Sequence, residues 1–389
     1  MSHAHHHHPP QHHHHAHVDR PHDRTEPPAD SDVETPRPRK QEQEDATADV
    51  TEVAPGVLRT QLPITMPGLG HVNCYLLEDE RGIAVVDPGL PGPEAWTHLV
   101  DRLGRAGYLV ADVHTVVVTH SHPDHFGGAM RLRHETGADL VTHETFRSLF
   151  DTAGLDDSED SGDLDLNSPD DRAAAMERYF DRPSPWGGRR HRPPPEFLER
   201  MRNGGSPGGA FAMPRPTRPL VDGQTIRLAR REWVAMHTPG HTYDHLCLYD
   251  PESGVVLTGD HVLPSITPHI SGLTPHADPL ALFFESLRRV ADIDHVTIAL
   301  PAHGHPFTDL RGRAEHIIDH HEDRLDTIRG ASADLPNGAV VDFMRVLFRE
   351  RSWGEMAESE TYAHLEHLRE LGELTRSSDD GIARYAPVG

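Results

Sequence analysis

Three imidazoles and a carboxylate fall within six residues of the stretch Thr119-His120-Ser121-His122-Pro123-Asp124-His125, directly after the apolar run Val116-Val117-Val118. Side chains two apart on an extended segment point the same way, so His120 and His122 can share a face. Asp124 and His125 stand where the next element begins. An imidazole and carboxylate donor set suits zinc, iron or manganese better than it suits a soft, thiolate-seeking ion.

Donors on one loop leave positions to be filled from elsewhere, and the chain offers candidates. Thr238-Pro239-Gly240-His241-Thr242 follows the strand-like run 232–236. Thr258-Gly259-Asp260-His261 follows 255–257, and Pro301-Ala302-His303-Gly304 follows 296–300. Each puts a His or Asp in the turn after an apolar strand, and ligands at the same ends of several strands can converge on one cleft.

With 34 histidines in the chain, a lone imidazole carries little information. Asp87, in the turn Asp87-Pro88-Gly89, reads as a residue that fixes backbone or supports a ligand. His245 reads as structural or supporting. His261 stands beside Asp260, within reach of the site. His269 and His276 flank a Ser-Gly-Leu-Thr-Pro loop and are either substrate contacts or plain loop histidines. His316, His320 and His321 fall on a charged helix and read as solvent-facing. His143 ends a strand and carries no assignment.

These residues need a scaffold, and the pattern supplies one. Strand-like runs at 56–62, 72–77, 83–86, 114–118 and 139–142 alternate with helical spacing at 93–106 and 127–135. A second set follows, with strands at 220–228, 232–236, 246–249, 255–257 and 296–300 and helices at 279–290 and 310–329. Strands alternating with helices indicate an α/β layer architecture. Cys74 and Cys247 sit in apolar runs and read as buried, reduced thiols.

The segments around this core differ in character. Residues 1–48 are rich in His, Pro, Asp and Glu and poor in apolar residues, so we expect a disordered tail. Its His5–His8 and His12–His15 clusters are either a metal-capturing device or simple low complexity. An insertion at 151–218 carries an acidic run (156–171), two short helices (170–180 and 196–201) and the aromatics Tyr179, Phe180, Trp186, Phe197 and Phe211. We expect the helices to cover the site and the acidic run to form a mobile loop. Residues 326–389 read as a small module of helix, helix and hairpin, turning at Ser378-Asp379-Asp380-Gly381.

A formal net charge of −25 disfavours nucleic acid and anionic membranes as partners. Lys40 is the only lysine, which argues against a Schiff-base lysine or a lysine-dependent phosphate loop. No apolar run reaches membrane-spanning length and no secretory apolar segment is evident, so a cytoplasmic location is expected. Oligomeric state has no signature in the sequence.

The motifs T-H-S-H-P-D-H, T-P-G-H-T, T-G-D and P-A-H-G stand in the order found in the metallo-β-lactamase superfamily of hydrolases. N-C-Y-L-L and V-V-D-P-G resemble its opening strands. The resemblance spans about residues 49–325. It implies an αββα sandwich, two sheets face to face between helical layers, with two divalent metal ions at one edge, zinc by default and iron or manganese by the same donors. Carried over residue by residue, His120, His122 and His241 would hold one ion. Asp124, His125 and His303 would hold the other, and Asp260 would bridge them. Residues 326–389 resemble the winged-helix module appended to a branch that includes endoribonuclease-like, glyoxalase II-like and thioesterase-like proteins.

The implied chemistry is hydrolysis by hydroxide held between two cations, with Asp124 a proton relay and His261 a second catalytic candidate. The expected substrate is a small molecule with an ester, thioester or lactone bond. Two alternatives stay open, a metal-dependent endoribonuclease acting on RNA and a non-catalytic metal- or DNA-binding protein. The C-terminal module weighs against nucleic acid, with six Arg and no Lys in 331–389 against eleven Asp and Glu.

Overall fold

In a computed structural model of the chain, residues 39–66, 68–147, 168–192, 195, 196, 199 and 214–389 are described. The His clusters of the tail, most of the acidic run and most of the expected 196–201 helix, with Phe197 and Phe211, lie outside these residues.

Seven strands form the first sheet in chain order: β1 (Val50–Ala54), β2 (Val57–Met66), β3 (Leu69–Asp79), β4 (Gly82–Val86), β5 (Val113–Val117), β6 (Asp139–His143) and β7 (Arg218–Leu220). The first four are joined by antiparallel pairing; β4 to β7 pair in parallel. Parallel neighbours need crossovers. Helix α1 (Pro93–Arg105) supplies the first, and α2 (Pro123–Phe126) with α3 (Ala129–Thr136) supplies the second. The insertion between β6 and β7 contains α4 (Pro169–Asp181), with Ser168 as its N-terminal cap.

The second sheet has the order β12-β11-β10-β9-β8. Its strands are β8 (Thr225–Leu228), β9 (Arg231–His237), β10 (Leu246–Asp250), β11 (Val255–Gly259) and β12 (Ile298–Pro301). Helix α5 (Pro279–Ala291) makes the crossover between the parallel pair β11 and β12. The run 220–228, expected as one strand, is divided: Leu220 ends the first sheet and Thr225 begins the second. Its apolar residues read as continuous because both halves face apolar surroundings, while the turn between them carries the chain across.

Three apolar cores stack through the molecule. Leu99, Leu103 and Leu132 from the helices pack on the outer face of the first sheet. Tyr75, Val86 and Val117 of the first sheet meet Trp233, Leu248 and Leu257 of the second between the two. Beyond the second sheet, Val256 and Ala299 meet Phe283, Leu287 and Ile317 from the helices. Each fully buried apolar side chain contributes about 1.5–3 kcal/mol, whereas an exposed pair such as Arg131–Glu135 contributes about 0–1 kcal/mol. The cores therefore hold the strand ends in place.

Helix α6 (Leu310–Ser332) leads to β13 (Gly338–Ala339), α7 (Val340–Leu347), α8 (Glu355–Glu370), β14 (Leu374–Asp379) and β15 (Ile382–Pro387). The last two strands form the expected hairpin, and the third sheet has the order β13-β15-β14. Val340, Phe343, Ala363, Leu365 and Leu368 join the core of α5 and α6, and residues 39–389 form one compact unit. Residues 359–368 of α8 are all buried. His321, expected to face solvent, is fully buried; it shares the i, i+3, i+4 stripe of Ala314, Ile317, Leu325 and Ile328.

Order also begins before the expected Val50. A short 3-10 turn, Gln41–Gln43, buries Glu42, whose carboxylate accepts the backbone N–H groups of Ser265 at 2.7 Å and Ile266 at 3.0 Å. A polar strap tied by such bonds has no apolar periodicity to announce it. Cys74 and Cys247 are buried and free. Among the described residues, no helix is long and apolar enough to cross a membrane.

Candidate metal centre

The ends of β5, β9, β11 and β12 bring all seven donor residues together. His120, His122, His241 and Asp260 place ligand atoms within 4.8 Å of one another, as do Asp124, His125 and His303. Asp260 belongs by distance to both groups. Its Oδ2 lies 3.5 Å from the Nε2 atoms of His241 and His125 and 3.8 Å from that of His120, while its Oδ1 lies 3.3 Å from His303 Nε2. Asp124 Oδ2 lies 3.4 Å from both His125 and His303 Nε2.

Four of the five imidazoles are oriented from behind. His125 Nδ1 lies 2.9 Å from Asp87 Oδ2, His303 Nδ1 2.6 Å from the His71 carbonyl oxygen, and His241 Nδ1 2.7 Å from that of His269. His120 Nδ1 lies 3.0 Å from Thr119 Oγ1, which itself donates to Asp87 at 2.8 Å. A donor N–H spent on a carbonyl or carboxylate leaves Nε2 as a lone pair facing the site. His122 instead turns Nδ1 inward, 3.0 Å from His120 Nε2 and 3.2 Å from His241 Nε2.

These donors fit divalent cations. His125 Nε2, His303 Nε2 and Asp260 Oδ1 are buried without a hydrogen-bond partner, and a buried polar atom left so costs about 1–3 kcal/mol. Converging lone pairs and carboxylates are satisfied together by a cation. The field agrees. Burial opposes protonation of His303, yet Asp260 and Asp124 push its imidazole up to about 10. Burial followed by the charge of His241 lowers His122 to about 3, which keeps it a neutral donor.

The supporting residues divide into legible and illegible ones. Asp87 fixes Thr119 and His125, as its turn position suggested. His245 is a supporting residue: Thr238 Oγ1 lies 2.8 Å from its Nδ1, and its Nε2 accepts the Asp260 backbone N–H at 3.0 Å. His261 joins neither donor group. Its buried ring stands edge-on to Phe283 at 5.2 Å and 5.8 Å from His245. His276 stacks on Tyr243 at 4.1 Å, and His143 stacks on His237 at 3.9 Å. His71, which orients His303 and accepts the Gly304 N–H at 3.1 Å, was missed. So was the His269 carbonyl. A backbone acceptor leaves no trace in residue type, although His71 does stand in the N-C-Y-L-L strand.

The described part of the insertion rests on the C-terminal module. The Trp186 indole donates to Glu358 at 2.9 Å and packs 5.3 Å from the Tyr362 ring. Ala383 donates its N–H to the Trp186 carbonyl at 3.1 Å.

A family model described as the metallo-beta-lactamase superfamily matches residues 67–303. The protein named Probable metallo-hydrolase YqjP, from Bacillus subtilis, is 26% identical over 325 residues, covering 82% of this chain and 93% of its own. An atrochrysone carboxyl ACP thioesterase from Emericella nidulans is 34% identical over 92 residues, covering 24% of this chain and 27% of its own. Among solved structures, a metallo-beta-lactamase family protein from Thermus thermophilus is 30% identical with a TM-score of 0.68, covering 87% of this chain and 100% of that one.

Proposed function

The chain belongs to the metallo-β-lactamase superfamily and has its hydrolase fold, and on that premise we propose that it cleaves an ester, thioester or lactone bond of a small molecule with the help of two divalent metal ions, zinc by default. The observation that carries the reading is the convergence of seven donors, six buried and His122 half-buried, whose neighbouring inward atoms lie 3.0–3.8 Å apart. His120, His122 and His241 would hold one ion, Asp124, His125 and His303 the other, and Asp260 both. Bound there, the cations would supply Lewis acidity that activates water near neutral pH and offsets charge on the substrate oxygen.

The protein's own groups do the rest. Asp87, Thr119, His71 and the His269 carbonyl keep the imidazoles in the tautomer that donates inward. Asp124 is the residue we assign to proton transfer, taking the proton of the attacking water on a carboxylate oxygen and returning it to the leaving group. The core strands exclude bulk water from the donor side of the cluster. The likeness to an acyl carrier protein thioesterase, partial as it is, supports an activated acyl bond as the target.

We assign residues 49–325 to the hydrolase domain and 326–389 to a winged-helix-like module, in which α7, α8 and the β14–β15 hairpin stand in the matching order. Burial of residues 359–368 leaves the second helix no free face for a nucleic-acid groove, which supports a structural role for the module and a small-molecule substrate. The test is elemental analysis of the purified protein, then thioester and lactone assays with and without a chelator. A metal-free preparation with full hydrolytic activity would overturn the proposal. RNA cleavage that falls steeply with salt would replace it with the endoribonuclease reading.

A further inference from the structure

Three of the site imidazoles take the partner of their outer nitrogen from the first sheet or the turns at its strand ends: Thr119 for His120, Asp87 for His125 and His71 for His303. His241 differs. Its partner is the His269 carbonyl, in the loop between β11 and α5. The first part of that loop is held by Glu42 and by Arg313, whose guanidinium donates to the Leu263 and Ile266 carbonyls. The part that contains His269 is held by α8.

Contacts recur along one face of α8. Ser359 Oγ accepts the Gly272 N–H at 2.9 Å. Gly272 approaches so closely that a Cβ there would stand 2.6 Å from the Tyr362 ring and 2.7 Å from the Ser359 carbonyl oxygen. The Glu360 carboxylate lies 3.4 Å from His269 Nδ1 and pairs with Arg324 of α6. Two turns further, His367 Nδ1 lies 2.9 Å from Asp278, the capping residue of α5. Positions 359, 360, 362 and 367 thus grip residues 269–278 at three points.

We propose that α8 of the C-terminal module is a positioning element for the three-histidine pocket, with Glu360 and Ser359 as positioning residues that fix the His269 carbonyl and through it the tautomer and orientation of His241. The inference rests on the assignment of His241 as a metal ligand. A histidine ligand whose outer N–H loses its acceptor binds metal about 10–100-fold less tightly, and a carbonyl displaced by an ångström no longer accepts. Glu360 also stands near His321 and His364 in a third group of donor side chains. The Arg324 guanidinium already satisfies that carboxylate, so the group is a hydrogen-bonded tie between α6 and α8 rather than another cation site.

The experiment uses the full chain, loaded with zinc or with cobalt as a spectroscopic probe. Glu360→Ala and Ser359→Ala are expected to weaken metal binding about tenfold in chelator competition and to alter the visible spectrum of the cobalt form. Glu360→Gln, which keeps an acceptor for His269, should fall between Glu360→Ala and the wild type. Arg329→Ala is the control, since it removes an ion pair to Glu373 in the same module, away from the loop. It should lower the melting temperature without changing metal affinity or spectrum. If Glu360→Ala does not fold, Glu360→Gln and Ser359→Ala carry the test. Wild-type affinity and cobalt spectrum in these variants overturn the inference alone. A wild-type protein that takes up no metal overturns the metal-site reading and the inference with it.

Discussion

Asp87 and His125 are joined by a 2.9 Å contact between Oδ2 and Nδ1, and the same carboxylate accepts both the N–H and the hydroxyl of Thr119 at 2.9 and 2.8 Å. One side chain therefore orients His125 directly and His120 through Thr119, one imidazole of each proposed pocket. Asp87 itself has φ of 52°, a conformation that Asp and Asn adopt more readily than other non-glycine residues. We expect Asp87→Ala to lower metal affinity about 10–100-fold and to destabilise the fold by about 1–3 kcal/mol, because it leaves buried donors unpaired. Asp87→Asn should keep the backbone and lose less. Metal content after dialysis against a chelator, with urea unfolding in parallel, checks both; full retention of metal by Asp87→Ala would remove Asp87 from this role.

How far such relationships were legible depended on where the partners sit. The seven donors could be read because each stands in a motif that directly follows an apolar strand, β5 in the first sheet and β9, β11 and β12 in the second. Asp87 could be read for the same reason. The acceptors for His303 and His241 could not, since they are backbone carbonyls of His71 and His269. Glu42 was lost with the polar tail because a strap held by hydrogen bonds shows no hydrophobic period. His321 was misread because its charged neighbours on α6 hid the stripe it shares with Ile317 and Leu325. The division of 220–228 between two sheets was invisible because its two halves are similarly apolar.

The buried histidines of the C-terminal module set a pH dependence apart from the metal centre. Burial, partly offset by Glu360, lowers His364 to about 4. An unfolded histidine titrates near 6.5, so between these values the unfolded chain binds a proton that the folded one does not. Stability is therefore full above about pH 6.5 and falls as pH drops towards 4, by about 3 kcal/mol for this group. His143, lowered to about 4 by burial and by His237, acts in the same direction. Glu360 adds a later loss: burial opposes its ionisation, but His269 and Arg324 hold it well below the ordinary range, so its contribution disappears only as pH falls further. Urea unfolding at about pH 7.5 and about pH 5 should show a smaller difference for His364→Gln than for the wild type. Equal differences would contradict the assignment.

Trp186 anchors the described part of the insertion to α8. Its ring is 5% exposed and its indole donates to Glu358. Arg189 and Arg190 follow it closely and neither precedes a proline, so trypsin reports directly on whether the segment stays docked. Trp186→Ala removes buried area that, for a large aromatic, is worth about 3–5 kcal/mol, more than a local anchor needs to hold. We expect cleavage in 182–192 to accelerate at least tenfold while the core stays intact. Trp186→Phe, which loses about 1 kcal/mol of hydrogen bond but keeps most of the packing, should be cut only slightly faster. Identical digestion of all three proteins would mean that the segment is held elsewhere.

Gly259 tests whether Asp260 is placed by its neighbours or by its own backbone. The residue ends β11 with φ of 50°, and a Cβ there would stand 2.6 Å from His245 Nε2. That nitrogen is the acceptor for the Asp260 N–H. His245 is fixed at its other end by Thr238 and is fully buried, so it has little room to yield. Gly259→Ala therefore forces either the imidazole or the Asp260 turn to move, and Asp260 is the carboxylate shared by both donor groups. Strain at such a conformation costs about 1–3 kcal/mol, but the larger effect should fall on metal. We expect loss of both ions together in elemental analysis, with the fold retained by circular dichroism. Loss of one ion would mean that Asp260 serves a single pocket, and retention of both would mean that the turn tolerates a side chain without moving the carboxylate.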